Sequence, residues 1–258
     1  SRSRGGRVRE TTVAAMTVGE RERLLVAAGA PQDDLSWRMA IDGDTATLTL
    51  PTFAFWNSEF DWNGFLERSF ASLKEQRIPH LIVDARLNEG GDDAIGHALL
   101  AHLLSKPLTI PGTRVESAYE RAPYDLARFL DTWDFSFFDR TGQVTRGESR
   151  NWLLREQPED RVVAPVAHPY RGNVVLLTGP QMSSAGYLLA REFKASGAAT
   201  LIGRETGGNL RGLNGGQLTW LTLPHSGVSV DIPLIAGFAK TPQPDRGVQP
   251  DIAVRTRL

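Results

Sequence analysis

Twice in this chain a short apolar run enters a turn rich in glycine or serine and passes directly into an apolar helical segment. That repeat points to an α/β fold, because strand and helix recur in one order along the chain. The first unit is His80-Leu81-Ile82-Val83-Asp84-Ala85-Arg86, then Asn88-Glu89-Gly90-Gly91-Asp92-Asp93, then a helix over Ala94 to Leu104. The second is Asn173 to Thr178, bounded by Gly172 and by Gly179-Pro180, followed by Gln181-Met182-Ser183-Ser184 and a helix over Ala185 to Ser196 that Gly197 stops. Parallel strands joined through helices put such turns on one edge of the sheet, where α/β folds build their active sites.

Ser184 therefore stands where a nucleophile would be placed. A hydroxyl at the N-terminus of a helix lies beside unpaired backbone NH groups and the positive end of the dipole, both of which favour developing negative charge. The alternative reading is that Ser183 or Ser184 only caps the helix.

The composition removes several chemistries. Without cysteine there is no thiolate catalysis, no cysteine-ligated zinc and no disulfide framework. Of the five histidines, only His97 and His102 are close in sequence, and a spacing of five does not put both on one helix face as a metal pair would require. No cofactor or metal is expected. The net charge of -1, with both signs mixed along the chain, gives no electrostatic footprint for nucleic acid. The one basic cluster, Arg2, Arg4, Arg7 and Arg9, reads as a solvated edge or chain end. No apolar run has the length of a membrane span. A start at Ser1, with neither methionine nor signal peptide, reads as a processed or truncated piece.

Residues 1–40 read as the tail of an upstream module, with an extended stretch over Arg7 to Met16 and a charged helix over Val18 to Ala28. A catalytic domain is expected over 41–258, opening with the alternating strand Thr45 to Leu50. The aromatic group Phe53, Phe55, Trp56, Phe60 and Trp62 suits core packing or a domain contact better than a ligand. A helix follows over Gly64 to Arg77. The elaborated segment 106–170 is too long to be structureless; it either forms short helices that cover the active edge or reach a partner, or it only packs. Strands are expected at Thr200 to Ile202, Gln217 to Leu223, Val228 to Pro233 and Ile252 to Val254.

Four segments matter together: Asn88-Glu89-Gly90-Gly91, Ser183-Ser184-Ala185-Gly186, Gly203-Arg204-Glu205-Thr206-Gly207-Gly208-Asn209 and Gly247-Val248-Gln249-Pro250-Asp251. Their order and spacing resemble the C-terminal processing, or tail-specific, serine peptidase family, whose relatives include the core of tricorn protease. The resemblance covers about residues 43–255. It implies a ClpP/crotonase-like catalytic domain of stacked β-α units, a peptide or protein substrate, and a periplasmic, envelope-associated or secreted location. By position, Ser184 matches the nucleophile, and the backbone NH groups of Ala185 and of Gly90 or Gly91 match the oxyanion hole. Glycines let the backbone approach a substrate closely.

The chain departs from that pattern at the base. The family's lysine, 25 positions after the serine, is replaced by Asn209, and the acidic residue three after it by Tyr187. The tricorn branch uses a histidine on the early strand, where this chain has Thr52-Phe53-Ala54-Phe55. Three accounts remain: a divergent base such as His225, His97 or Lys240; a base from an upstream region or another subunit; or binding without catalysis. Asn209 and Arg211 are candidate substrate contacts, Arg211 through a substrate carboxylate. The expected function is a serine-type peptidase with an altered general base. A catalytically impaired peptide-binding or scaffold module is the alternative, and a crotonase-like thioester enzyme has less in its favour.

Overall fold

The computed structural model describes residues 17, 19–20, 23–24, 35–147, 151–223 and 225–254. The basic cluster, the stretch Arg7 to Met16 and most of Val18 to Ala28 lie outside the described residues. The chain divides into two compact units, Ser1–Leu35 and Ser36–Leu258. Within the first, Gly19, Glu20, Arg23 and Leu24 are helical. Thr17 and Glu20 form a reciprocal cap there, the Glu20 amide donating to Thr17 Oγ1 (3.2 Å) and the Thr17 amide to Glu20 Oε2 (2.7 Å).

The second unit starts earlier than the expected boundary at 40/41, because Arg38–Asp42 (β1) pairs antiparallel with Thr45–Thr49 (β2). The chain then runs through a helix, Trp62–Glu75 (α1), to His80–Asp84 (β3) and a second helix, Asp93–Ala101 (α2). Both helices begin on an aspartate. The Asp61 carboxylate accepts from the Gly64 amide and Asp92 from Ala94, which satisfies amides the helix cannot pair itself. Next come Leu108–Ile110 (β4), Arg114–Ser117 (β5), Tyr124–Ala127 (α3), Leu130–Asp131 (β6), a 3-10 turn at Phe135–Phe138, Val144–Arg146 (β7), Trp152–Leu154 (β8) and Arg161–Val163 (β9). Asn173–Thr178 (β10) leads into Ser184–Ser196 (α4) and Thr200–Gly203 (β11). The chain continues through Gly212–Leu213 (β12), Leu218–Thr222 (β13), Ser229–Pro233 (β14), Ile235–Phe238 (β15) and Ile252–Ala253 (β16).

The main sheet has the order β1-β2-β3-β10-β11-β16, parallel from β2 onward. Leu177 stands opposite Asp84, Asp84 opposite Thr49, and Thr178 opposite Gly203, so β2, β3, β10 and β11 all end on one edge. Alternate residues of the strands, Ala46, Leu48, Leu81 and Val83, are buried with Leu176 and Leu201. Gly96 on α2 lies against Leu189 of α4, which lets the two helices close on each other. The early aromatics do pack: Trp37 gathers Phe53, Phe55, Phe60 and Phe65 with ring centroids 5.3 to 6.1 Å apart. Trp56 stays exposed.

Segment 106–170 combines the short helix α3 and a 3-10 turn with the short strands β4 to β9, joined by irregular stretches. Its β5, β8 and β7 join late strands in an antiparallel sheet of order β12-β15-β5-β8-β7, and β6 pairs with β13 beside β14. The segment thus folds together with the C-terminal third of the chain. Its short strands escape a sequence reading because their partners are remote.

Candidate active site

Five hydrogen bonds tie together the four segments that leave the parallel strands at their common edge. The Phe53 amide, beyond β2, donates to Gly90 O (2.8 Å), and the Asp92 amide returns to Phe53 O (3.0 Å). The Ser183 amide, beyond β10, donates to Asn88 O (3.3 Å), and Ser183 Oγ to Glu89 O (2.8 Å). The Gly207 amide, beyond β11, donates to Met182 O (2.9 Å). Four turns that are distant in sequence become one surface.

Asn88 organises this surface from beneath. It is fully buried; its Nδ2 donates to Leu50 O and its Oδ1 accepts from the Gly90 amide, both at 2.9 Å. Membership of the Asn88-Glu89-Gly90-Gly91 motif alone does not give Asn88 this role. The available signal was an asparagine two residues before a glycine, the spacing of a side chain that closes its own turn. Gly90 then takes φ +114°, and a Cβ there would stand 2.6 Å from Ser184 Cβ and 2.9 Å from the Ala185 amide nitrogen. Only glycine fits so close to the serine.

Ser184 opens α4 with φ +46°, a left-handed conformation that costs a non-glycine residue roughly 1–3 kcal/mol and tends to occur at functional sites. Neither serine caps the helix through its side chain. Ser183 is spent on Glu89, while Ser184 Oγ is exposed and makes no hydrogen bond among the described residues. The Ala185 amide has no acceptor among the described residues, as expected in the first turn of a helix. Of the two glycine amides expected as oxyanion donors, that of Gly90 is occupied by Asn88, whereas that of Gly91 has no acceptor among the described residues. Gly215, in the loop that follows β12, lies over the serine; a Cβ there would be 4.0 Å from Ser184 Oγ.

The other nominated residues lie in different settings. Asn209 Nδ2 donates to Asp245 Oδ1 (2.7 Å) and its Oδ1 accepts from the Arg211 amide (2.9 Å). Arg211 pairs with the other oxygen of Asp245 at 2.9 Å. Both are thus joined through Asp245, so Arg211 meets a substrate carboxylate only by exchanging partners. His97 is held between Glu192 (3.4 Å) and Arg161 (3.0 Å). Glu192 lies eight residues along α4 from Ser184, about 12 Å of helical rise, which takes His97 out of reach of the serine. Lys240 is exposed, 3.9 Å from Asp160, and His225 is exposed in the turn between β13 and β14. None of the three bonds Ser184. Lys194 pairs with Asp251 at the far end of α4, and Asp251 also accepts from the Leu201 amide at the start of β11.

Tyr187 stands three residues after Ser184 in α4. Its ring is buried and Gly208 lies directly against it, which seats the loop carrying Asn209. Among the described residues its hydroxyl has no partner at hydrogen-bond geometry; burial raises its pKa, and nearby Arg191 offsets part of the rise. At the end of β3, burial pushes the Asp84 carboxyl up, but the hydrogen bonds and charge of Arg86 outweigh it and hold the pKa below its usual value.

The site brings together an uncommitted Ser184 hydroxyl, the adjacent Ala185 amide and a helix N-terminus. Residues 44–254 match the model of Peptidase family S41. Among solved structures, a mutant of CPAF is similar over 92% of this chain and 56% of its own, with 16% identity and a TM-score of 0.56. Mature CPAF complexed with lactacystin is similar over 84% of this chain and 49% of its own, at 17% identity and a TM-score of 0.53. The photosystem II D1 C-terminal processing protease is similar over 81% and 42%, at 18% identity and a TM-score of 0.45. The chain spans about half the length of these structures. No curated protein matches. The match over 44–254 places this chain in peptidase family S41, a family of serine peptidases.

Proposed function

We propose that this chain is the catalytic domain of a serine-type peptidase, of ClpP/crotonase-like architecture, in which Ser184 is the nucleophile. The observation that carries the reading is the strained, unbonded Ser184 beside the free Ala185 amide. Ser184 Oγ attacks the scissile carbonyl carbon, and the oxyanion is received by the amides of Ala185 and Gly91, a contribution of about 10²–10³ in rate per donor. The C–N bond then breaks, the serine proton passes by way of a base to the departing amine, and water releases the acyl group from Ser184.

The base is not the family lysine, since Asn209 stands there. His225 or Lys240, brought in by loop movement, or a group from another chain or an upstream region, takes the serine proton. We place the protein in the periplasm, envelope or exterior by analogy with the family. A second reading, a peptide-binding module without turnover, draws on the lack of any ionisable partner for Ser184 Oγ among the described residues. Mass-spectrometric profiling of a broad peptide library separates the two. Cleavage by wild type and none by Ser184→Ala supports the peptidase, whereas equal peptide binding by both proteins with no cleavage by either supports the binding module. Lactacystin, with which mature CPAF is complexed, is a probe to try on Ser184.

A further inference from the structure

At the opposite end of the main sheet, where β3 and β10 begin, a groove of about 520 Å³ lies between the end of α1 and the segment before β10. Its floor is apolar and fixed: Phe70, Leu73 and Ile78 are buried, and Tyr170 donates its hydroxyl to Ile78 O (3.0 Å) and its amide to His102 O (2.7 Å). Its rim carries Lys74, Arg77, His168 and Arg171. None of these four side chains has an ion pair or hydrogen-bond acceptor among the described residues. Elsewhere arginines are commonly held by acids, as Arg86 is by Asp84, Arg121 by Asp139 and Arg211 by Asp245. No Asp or Glu lines this groove among the described residues.

Arg77 adds an independent observation. The Ile78 amide donates to Leu73 O (3.0 Å) and the Arg77 amide to Lys74 O (3.2 Å), which is the Schellman closure of α1. The residue in the left-handed position of that closure is ordinarily glycine, but here it is Arg77 at φ +54°. The chain retains a strained arginine where glycine would relax the turn, and its side chain lines the groove.

We infer that this groove is a second binding site, separate from Ser184, for an acidic peptide segment carrying an apolar or aromatic residue. A compact anion would meet the rim and leave the floor of Phe70, Leu73, Ile78 and Tyr170 uncovered, and a purely apolar ligand would leave the cations unanswered. The six residues of β10 set the groove about 20 Å from the serine edge. The site binds peptide whether or not Ser184 is catalytic, so it is tested in the Ser184→Ala protein.

The probe is a fluorescein-labelled Glu-Glu-Phe-Glu-Glu peptide, read by anisotropy against its Gln-Gln-Phe-Gln-Gln counterpart. Saturable binding of the acidic peptide is expected, stronger at low salt and about tenfold tighter than that of the neutral one. Arg77→Gly is expected to weaken binding about fivefold or more while raising the melting temperature. Arg171→Gln is expected to weaken it without that rise, and Lys106→Gln, outside the groove, to leave it unchanged. The inference is overturned by absence of saturable binding, by equal binding of both peptides, or by insensitivity to Arg77→Gly and Arg171→Gln. Full displacement of the peptide by millimolar phosphate, or by vesicles of anionic lipid, would also overturn it by assigning the site to another ligand.

Discussion

Replacing Asn88 by alanine tests whether the site is built from below. The side chain is fully buried and makes two hydrogen bonds, to Leu50 O and from the Gly90 amide. Alanine leaves both partners buried and unpaired, at about 1–3 kcal/mol each, so urea unfolding is expected to report a loss of about 2–6 kcal/mol. The Gly90 turn also loses its internal anchor beside Ser184, so acylation of the serine by a fluorophosphonate is expected to slow by about 10²–10³, the weight of one misplaced donor. Asn88→Asp refines the test, since an ionised carboxylate accepts from Gly90 but cannot donate to Leu50 O. Burial raises the folded pKa of the introduced acid above its unfolded value of about 3.9. This variant is therefore closest to wild type below pH ~3.9 and loses stability as pH rises toward the folded pKa. A loss under about 0.5 kcal/mol for the alanine variant, with unchanged acylation, would refute the reasoning.

Four further outcomes follow from the same geometry. Gly208→Ala would place a Cβ 2.1 Å from Tyr187 Cγ, and calorimetry should report a destabilisation of about 1–3 kcal/mol with a displaced Asn209 loop. Tyr187→Phe removes a buried hydroxyl that has no hydrogen-bond partner among the described residues, so urea unfolding should show it neutral or up to about 1 kcal/mol more stable. Asp251 has its pKa lowered by the hydrogen bond from Lys194 and then by the Leu201 amide. The stability this gives is present above the unfolded pKa and lost as pH falls through the folded one, so Lys194→Gln should lower the melting temperature slightly at pH 6 and hardly at pH ~2. Asn209→Lys restores the family's residue, and a rise of about 10²–10⁴ in Ser184-dependent peptide cleavage is expected if proton transfer limits the present site; an unchanged rate would place the base elsewhere.

Much of the main sheet was legible because its signals are local. The strands at Thr45, His80, Asn173 and Thr200 and the helices after Gly64, Ala94 and Ala185 all appear near their expected bounds. Ser184 was legible as a position but not as a conformation. Its positive φ, the transfer of Ser183 to Glu89 and the occupation of the Gly90 amide by Asn88 all depend on two turns meeting across the sheet. Segment 106–170 was the least legible, since strands such as β5 and β6 are two to four residues long and find partners in β15 and β13, roughly a hundred residues away. His97 looked available as a base only until α4 brought Glu192 against it.

The most direct test of the account is covalent labelling of the purified chain with a fluorophosphonate, followed by peptide mapping. One adduct on Ser184 is expected, absent from Ser184→Ala and slowed in Gly90→Ala, whose Cβ would collide with the serine. An unlabelled Ser184, or equal labelling of the Ser184→Ala protein, would contradict the reading of this turn as a nucleophile site.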